Sequence, residues 1–425
     1  MDSVLYTLSE NIREKNYVIA SYYMELPAEV DVLKKAATLA IGQTIGTWVE
    51  IPGITDEIRE KYMGKVVKVF DVPALDLLTQ IETPNRRYIV QIAYPAINFG
   101  DDFSLMLTAL LGNDASTSAQ VKLLDIDFPK KFIENFPGPR FGIEGIREFS
   151  GIEDRPILLN MIKPCTGLAP KEAAKIFYET ACGGVDFIKD DELLGNPTYS
   201  KPEERIKEFK KAAMAAYEKT GERVKYFVNI TSGIDELIEQ ARRAEESGAD
   251  GLMLNFAVIG YSGLKAVAKH TTLPILAHSA GSGMFFESEI SGMASPLAVG
   301  KLARLAGADI VMINTPYGGY PLSYQKYMQT VGQLSLPFYD IKPAMASIGG
   351  GVHAGMVGKY VHELGKDIVL AAGGAIQGHP KGAKAGARAM RQAIEIVMSG
   401  EDFEEKSKEY EELKTALELW KYVRK

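Results

Sequence analysis

From residue 157 onward the chain repeats one unit: a short apolar run, then a longer amphipathic segment. The apolar runs are Ile157–Ile162, Val185–Ile188, Val224–Ile230, Gly251–Leu254, Pro274–Ala277, Asp309–Ile313, Pro343–Ser347 and Ile368–Ala371. Helical segments begin near Pro170, Pro202, Asp235, Gly263, Ser295, Ser323, Ala354 and Ala383. The apolar runs do not alternate with polar residues, as a parallel sheet covered on both faces requires. Eight such units in unbroken order predict a closed (β/α)₈ barrel, with an open doubly wound sheet as the alternative. The residues before the barrel read differently. Val18–Tyr23 and Tyr88–Tyr94 alternate like half-buried strands, and 29–40 and 103–111 read as helices. The fold expected is therefore α/β: an N-terminal α+β domain of the ferredoxin-like kind over residues 1–145, a (β/α)₈ TIM barrel over 146–400, and a charged helical tail, 401–425, packed on the outside. The 425 residues suit two or three domains at roughly 100–200 residues each.

Composition removes several function classes. There are 48 Lys plus Arg against 55 Asp plus Glu, a net charge of −7 with no long basic stretch, so no nucleic-acid partner is expected. Only Cys165 and Cys182 are present, too few for a disulfide framework or a cysteine-rich zinc site. The opening MDSVLYTLSENIREK lacks an apolar core, and no 18-residue apolar run occurs; the expectation is a cytoplasmic protein with no membrane partner.

In a barrel of this kind chemistry sits where strands end. The strand ends here are Lys163, Lys189-Asp190-Asp191-Glu192, Asn229, Asn255, His278, Asn314, Gly349-Gly350-Gly351 and Gly373-Gly374. Asp191 and Glu192 beside Lys189 suggest oxygen ligands for a hard divalent cation, Mg²⁺. A bare ammonium repels a cation, but a lysine of depressed pKa can react with CO₂, and the resulting carbamate is an anionic oxygen ligand. A solvated salt-bridge cluster is the bland reading of such a charge run. Gly350, Gly351, Gly373 and Gly374 can present bare backbone N–H groups to a phosphate, where tight turns are the bland reading. A dinucleotide fingerprint is absent from the first βα unit. Lys163 and His278 are candidate acid–base or electrostatic groups. His353 and His379 follow the glycines and read as shaping those loops.

These residues resemble the ribulose bisphosphate carboxylase large-subunit family. Gly184-Val185-Asp186-Phe187-Ile188-Lys189-Asp190-Asp191-Glu192 reproduces its G-x-D-F-x-K-x-D-E activation-site signature, and the resemblance extends over about residues 16–400. It includes Gly46-Thr47-Trp48, Gly112-Asn113, Ile162-Lys163-Pro164, Gly350-Gly351-Val352-His353 and Gly378-His379-Pro380. The resemblance implies a carbamylated lysine at Lys189 that binds Mg²⁺ together with Asp191 and Glu192. It also implies phosphate or substrate binding at Thr47 and Trp48, and a homodimer, or an assembly of dimers, in which one chain's N-terminal domain completes its partner's barrel site. The departures set the subclass. Asn314-Thr315-Pro316-Tyr317-Gly318-Gly319-Tyr320 has no lysine where a carboxylase polarises CO₂. Cys165 stands at a lysine position, Ser279 at an arginine position, and Gly42-Gln43-Thr44 where a glutamate is usual. Ala277–Gly283, Thr315–Gly318 and Tyr94–Phe99 look like the carboxylase-like (form IV) proteins of the methionine-salvage branch. That branch enolises 2,3-diketo-5-methylthiopentyl-1-phosphate with a lysine base at the position of Asn113. The expected activity is Mg²⁺-dependent proton abstraction beside a carbonyl of a phosphorylated keto compound, an enolase or isomerase, with Lys163, Lys189, His278 and Asn113 as catalytic candidates. A decarboxylase of a β-keto sugar-acid phosphate, a true carboxylase and a non-catalytic regulatory protein are the alternatives.

Overall fold

The computed structural model describes residues 2–46, 49, 51–76 and 83–423. The chain divides into two compact units, one of Met1–Phe136 with Ser282–Ala298, the other of Pro137–Gly281 with Val299–Lys425. The N-terminal unit is built on a five-stranded sheet in the order β10-β4-β1-β3-β2. Its strands are β1 (Tyr17–Pro27), β2 (Lys65–Val72), β3 (Asn85–Pro95), β4 (Lys122–Asp127) and β10 (Gly292–Met293). Along β1 burial alternates strictly, with Val18, Ala20, Tyr22, Met24 and Leu26 facing inward, the period-two pattern of a sheet covered on one face. Helices Val32–Gly42 and Phe103–Leu111 are each started by an aspartate, Asp31 and Asp102, whose side chain accepts the otherwise unpaired N–H groups of the first turn.

The second unit is a closed barrel of parallel strands ordered β11-β12-β13-β5-β6-β7-β8-β9. The strands are β5 (Ile157–Met161), β6 (Phe187–Lys189), β7 (Lys225–Asn229), β8 (Gly251–Asn255), β9 (Ile275–His278), β11 (Ile310–Asn314), β12 (Met345–Gly349) and β13 (Ile368–Ala372). Each lies on one of the apolar runs read from the sequence. Their inward side chains, among them Leu159, Phe187, Phe227, Met253, Leu276, Ile310 and Val369, fill the barrel, so it is a packed core and not a pore. Among the described residues no helix is long and apolar enough to cross a membrane.

The sequence drew a boundary at 145/146. That point falls inside helix Gly142–Ser150, whose Ile146 and Phe149 pack into the barrel interior. Asp309 ties this helix to the barrel: its buried carboxylate accepts from the N–H groups of Phe141 (2.6 Å), Gly142 (3.1 Å) and Ile275 (2.9 Å). The segment 282–298 was not foreseen as part of the N-terminal unit. There β10 extends the sheet in parallel beside β4, and Lys122 Nζ donates to the Phe286 carbonyl at 3.0 Å.

Candidate functional site

Three strand ends of the barrel, those of β5, β6 and β9, converge on one ionic cluster. Lys189 closes β6 and is fully buried. Its Nζ donates to its neighbour's carbonyl, Asp190 O, at 2.9 Å and lies 3.9 Å from Glu192 Oε2. Burial pushes its pKa below the ordinary lysine value, with Glu192, Asp191 and Asp190 opposing the shift and Lys163 adding to it. Asp191 is also buried and accepts from Lys163 Nζ at 2.6 Å and from the Leu193 N–H at 3.2 Å. Burial alone would raise its pKa, but the hydrogen bonds from Lys163, Leu193 and Cys165 outweigh it and hold the carboxyl below its usual range.

Lys163, two residues past β5, contacts Asp191 and, at 2.9 Å, Cys165 Sγ. Burial works against its charge. The hydrogen bonds to Asp191 and Cys165 win, and its pKa stands above the ordinary lysine value. Lys163 is therefore an ammonium in the resting site. At the end of β9, His278 Nδ1 accepts the Ala280 N–H at 3.0 Å, so the imidazole proton sits on Nε2, 3.5 Å from Glu192 Oε2. Burial, then the charges of Lys189 and Lys163, hold its pKa well below the ordinary value, and the ring is neutral.

Two asparagines at strand ends fix the backbone that carries the carboxylates. Asn229 Nδ2 donates to Asp191 O (3.1 Å) and Glu192 O (3.2 Å), and Asn255 Nδ2 donates to Glu192 O (2.8 Å). Asp190 faces away from this chemistry. It takes Arg205 Nε (3.1 Å), the Tyr226 hydroxyl (2.6 Å) and the Asn229 N–H (2.8 Å), and both ion-pair partners are buried. Removing one partner of such a pair leaves an uncompensated buried charge. Arg205→Met should therefore cost about 3–5 kcal/mol of stability, read from urea unfolding midpoints; a loss below about 1 kcal/mol would contradict this assignment.

A cleft of about 570 Å³ joins these groups to the glycine loops. Lys163, Glu192 and His278 line it together with Gly350, Gly351, Gly373 and Gly374. Gly350 and Gly351 have φ of +84° and +103°, a backbone region where a side chain would be strained. Asn113 lies in the N-terminal unit, exposed between helix Phe103–Leu111 and the turn that starts at Asp114. Thr47 and Trp48 lie outside the described residues. His379 is buried and holds its loop, as read from the sequence, whereas His353 borders the cleft itself. The end of the tail departs from expectation. Its helix Glu411–Leu419 packs on the outer helix Ala383–Ser399 as expected, but the residue after it, Trp420, lines the cleft, as does Tyr320 from the loop after β11. Neither aromatic was singled out from the sequence, because nothing in the local pattern of a loop or tail says where its side chains end up.

The comparisons with known proteins agree with this architecture. The model of the ribulose bisphosphate carboxylase large chain, catalytic domain, matches residues 142–420, and that of the N-terminal domain of the same chain matches residues 6–132. A ribulose bisphosphate carboxylase-like protein of Archaeoglobus fulgidus is 45% identical over 395 residues, 92% of this chain and 90% of that one. A 2,3-diketo-5-methylthiopentyl-1-phosphate enolase of Geobacillus kaustophilus is 38% identical over 415 residues, 96% of this chain and 98% of that one. The crystal structure of a rubisco-like protein (MtnW) from Alicyclobacillus acidocaldarius superposes with a TM-score of 0.87 at 34% identity, covering 95% of this chain and 100% of that one. The signature around Lys189, the barrel that presents it and two family models spanning nearly the whole chain place this protein in the ribulose bisphosphate carboxylase large-chain family, among its carboxylase-like members.

Proposed function

We propose that the protein is an enolase-type enzyme. It removes a proton from the carbon beside a carbonyl of a phosphorylated diketone, of the 2,3-diketo-5-methylthiopentyl-1-phosphate kind, and a proton is returned to the oxygen. The observation that carries this reading is one cleft in which Lys163, held by Asp191 at 2.6 Å, and a neutral His278 face two glycine loops suited to a phosphate. The name of the Geobacillus relative supports the substrate class.

A divalent cation fits the cluster on one condition. Among the described residues no group of three or more His, Cys, Asp or Glu is arranged to hold a metal ion, so Asp191 and Glu192 need a third donor. Lys189 is suited to become that donor: it is buried, poorly paired and depressed in pKa, which favours the neutral amine that takes up CO₂. Lys189 as carbamate, Asp191 and Glu192 would then hold Mg²⁺ through oxygen. Bound there, Mg²⁺ supplies positive charge that polarises a carbonyl and steadies a developing negative oxygen.

The chain's own groups do the rest. Lys163 carries its proton while Asp191 faces it, and turns into a base only when that carboxylate is engaged elsewhere. His278 donates from Nε2 to a substrate oxygen without adding charge. Gly350, Gly351, Gly373 and Gly374 hold the phosphate through backbone N–H groups. Asn113, Thr47 and Trp48 would serve the site from the N-terminal domain of a second copy in a cytoplasmic homodimer, Asn113 as a hydrogen-bonding group that cannot accept the proton.

The test is exchange of the substrate's C–H with D₂O, followed by proton NMR after preincubation with bicarbonate and Mg²⁺. No exchange on any phosphorylated diketone would sink the reading, and loss of CO₂ from a β-keto acid phosphate in its place would make the protein a decarboxylase. The loop Asn314–Tyr320 has no lysine to meet CO₂. Ribulose bisphosphate should accordingly give no acid-stable labelled product above background with ¹⁴CO₂; incorporation at ordinary turnover, on the order of 1 s⁻¹ or faster, would show that another group does the work of the missing lysine.

A further inference from the structure

The C-terminal segment is built into the site. Helix Glu411–Leu419 docks on helix Ala383–Ser399, where the Leu413 N–H donates to Gln392 Oε1 (3.2 Å) and Gln392 Nε2 donates to Glu412 Oε2 (3.1 Å). The loop after β13 joins this contact. His379 takes the Lys381 N–H on Nδ1 (3.1 Å), so its proton is on Nε2, which donates to Glu412 O (3.0 Å). Past the helix the chain turns onto the loop after β12. The Val423 N–H donates to Gly355 O (3.1 Å), and Tyr422 stacks on Phe403 with ring centroids 4.6 Å apart. Only a glycine fits at 355, since a Cβ there would lie 2.5 Å from Lys421 O. Both glycine loops thus hold the segment that delivers Trp420 to the cleft wall. Tyr320, 78% exposed, comes to the same cleft from the loop after β11.

Charge limits what can lie between these aromatics. Among the described residues lining the cleft, Lys163 is the sole lysine or arginine, and it is already paired with Asp191. One phosphate can rest on backbone N–H groups of the glycine loops. A second would meet no further lysine or arginine among the described lining residues. The other lining side chains include Ser279, Asn314 and His353, which are polar, and an apolar share made by Met161, Met312, Ile313 and Val352 with the rings of Tyr320 and Trp420.

We propose that Trp420 is a substrate-contacting, specificity-determining residue: with Tyr320 it covers the apolar part of a phosphate monoester and disfavours a bisphosphate of the same length. The inference rests on the proposed function only in taking a phosphate ester as ligand. Binding of pentyl phosphate, pentane-1,5-diyl bisphosphate and inorganic phosphate to the full-length protein, with Mg²⁺ and bicarbonate present, tests it by calorimetry on the unsubstituted protein, Trp420→Ala and Trp420→Phe. The unsubstituted protein should prefer pentyl phosphate over the bisphosphate by about tenfold or more. Trp420→Ala should lose about tenfold on pentyl phosphate, the scale of a methylene or two in an apolar pocket, and less than about twofold on inorganic phosphate, while Trp420→Phe keeps most of the affinity. The chain has two tryptophans, so the emission difference between the unsubstituted protein and Trp420→Phe isolates Trp420. That emission should shift with pentyl phosphate, a reading that does not need the alanine variant to fold. Unchanged emission, equal pentyl phosphate affinity with and without the indole, equal losses on pentyl and inorganic phosphate, or a preference for the bisphosphate would each overturn the proposal. Proton exchange is not read here, so a failed enolase assay leaves this inference standing and its own failure leaves the enolase reading untouched.

Discussion

Lys163→Met should stop exchange of the substrate C–H with solvent, lowering its rate by about 10³-fold or more, within the range that general base catalysis supplies. Methionine keeps much of the volume and cannot take a proton. The same change removes the ammonium that sits 2.6 Å from Asp191 and competes with any cation for that carboxylate. Divalent-cation affinity, measured with Mn²⁺ as a spectroscopic stand-in, should therefore be equal to that of the unsubstituted protein or tighter. The two readouts move in opposite directions, which general unfolding cannot imitate. Exchange at the original rate in Lys163→Met would relieve this lysine of the role, and the carbamate on Lys189 would become the candidate base.

Lys189→Met should remove activation by bicarbonate and weaken Mg²⁺ binding by at least about 100-fold, beyond the roughly 10–100-fold cost of losing a group that only supports a ligand. Folding should not suffer. The ammonium is buried, has one backbone acceptor at 2.9 Å, and its nearest carboxylate oxygen is 3.9 Å away. Replacing a charge so poorly compensated by an apolar side chain of similar volume is neutral or stabilising. The cation-free variant should thus melt at or above the temperature of the cation-free unsubstituted protein. A variant that still gains activity with bicarbonate and Mg²⁺ would remove the carbamate from the mechanism.

The barrel was legible because its strands are buried on both faces, which leaves continuous apolar runs such as Ile157–Met161 and Ile310–Asn314 with little else they could form. The Lys189–Glu192 run was legible for a related reason: four charges that close and directly follow a buried strand have no solvated helix face to occupy. Which of the four does what was not. Asp190 and Asp191 are neighbours, yet one is spent on Arg205, fifteen positions on, and the other on Lys163, twenty-eight positions back, and neither spacing has a local signature. The protonation of Lys163 is equally hidden, since burial and the Asp191 contact pull its pKa in opposite directions and only the distances decide between them. The part played by Trp420 depends on Gly355, His379 and helix Ala383–Ser399 meeting in space, a tertiary fact with no periodicity to announce it.

The strand β10 bears on how the protein is made. It pairs with β4, although 170 positions separate Gly292 from its partner Lys122. A ribosome finishes β1 to β4 early, but the edge beside β4 stays open until five of the eight barrel strands have also been synthesised. For that interval a row of backbone donors and acceptors is uncovered, the kind of edge on which nascent chains associate wrongly. The two units are thus separable in space but not in time: the first to begin folding is completed only by a segment that arrives with the second, and a cut at residue 136 would release a sheet without its covering strand.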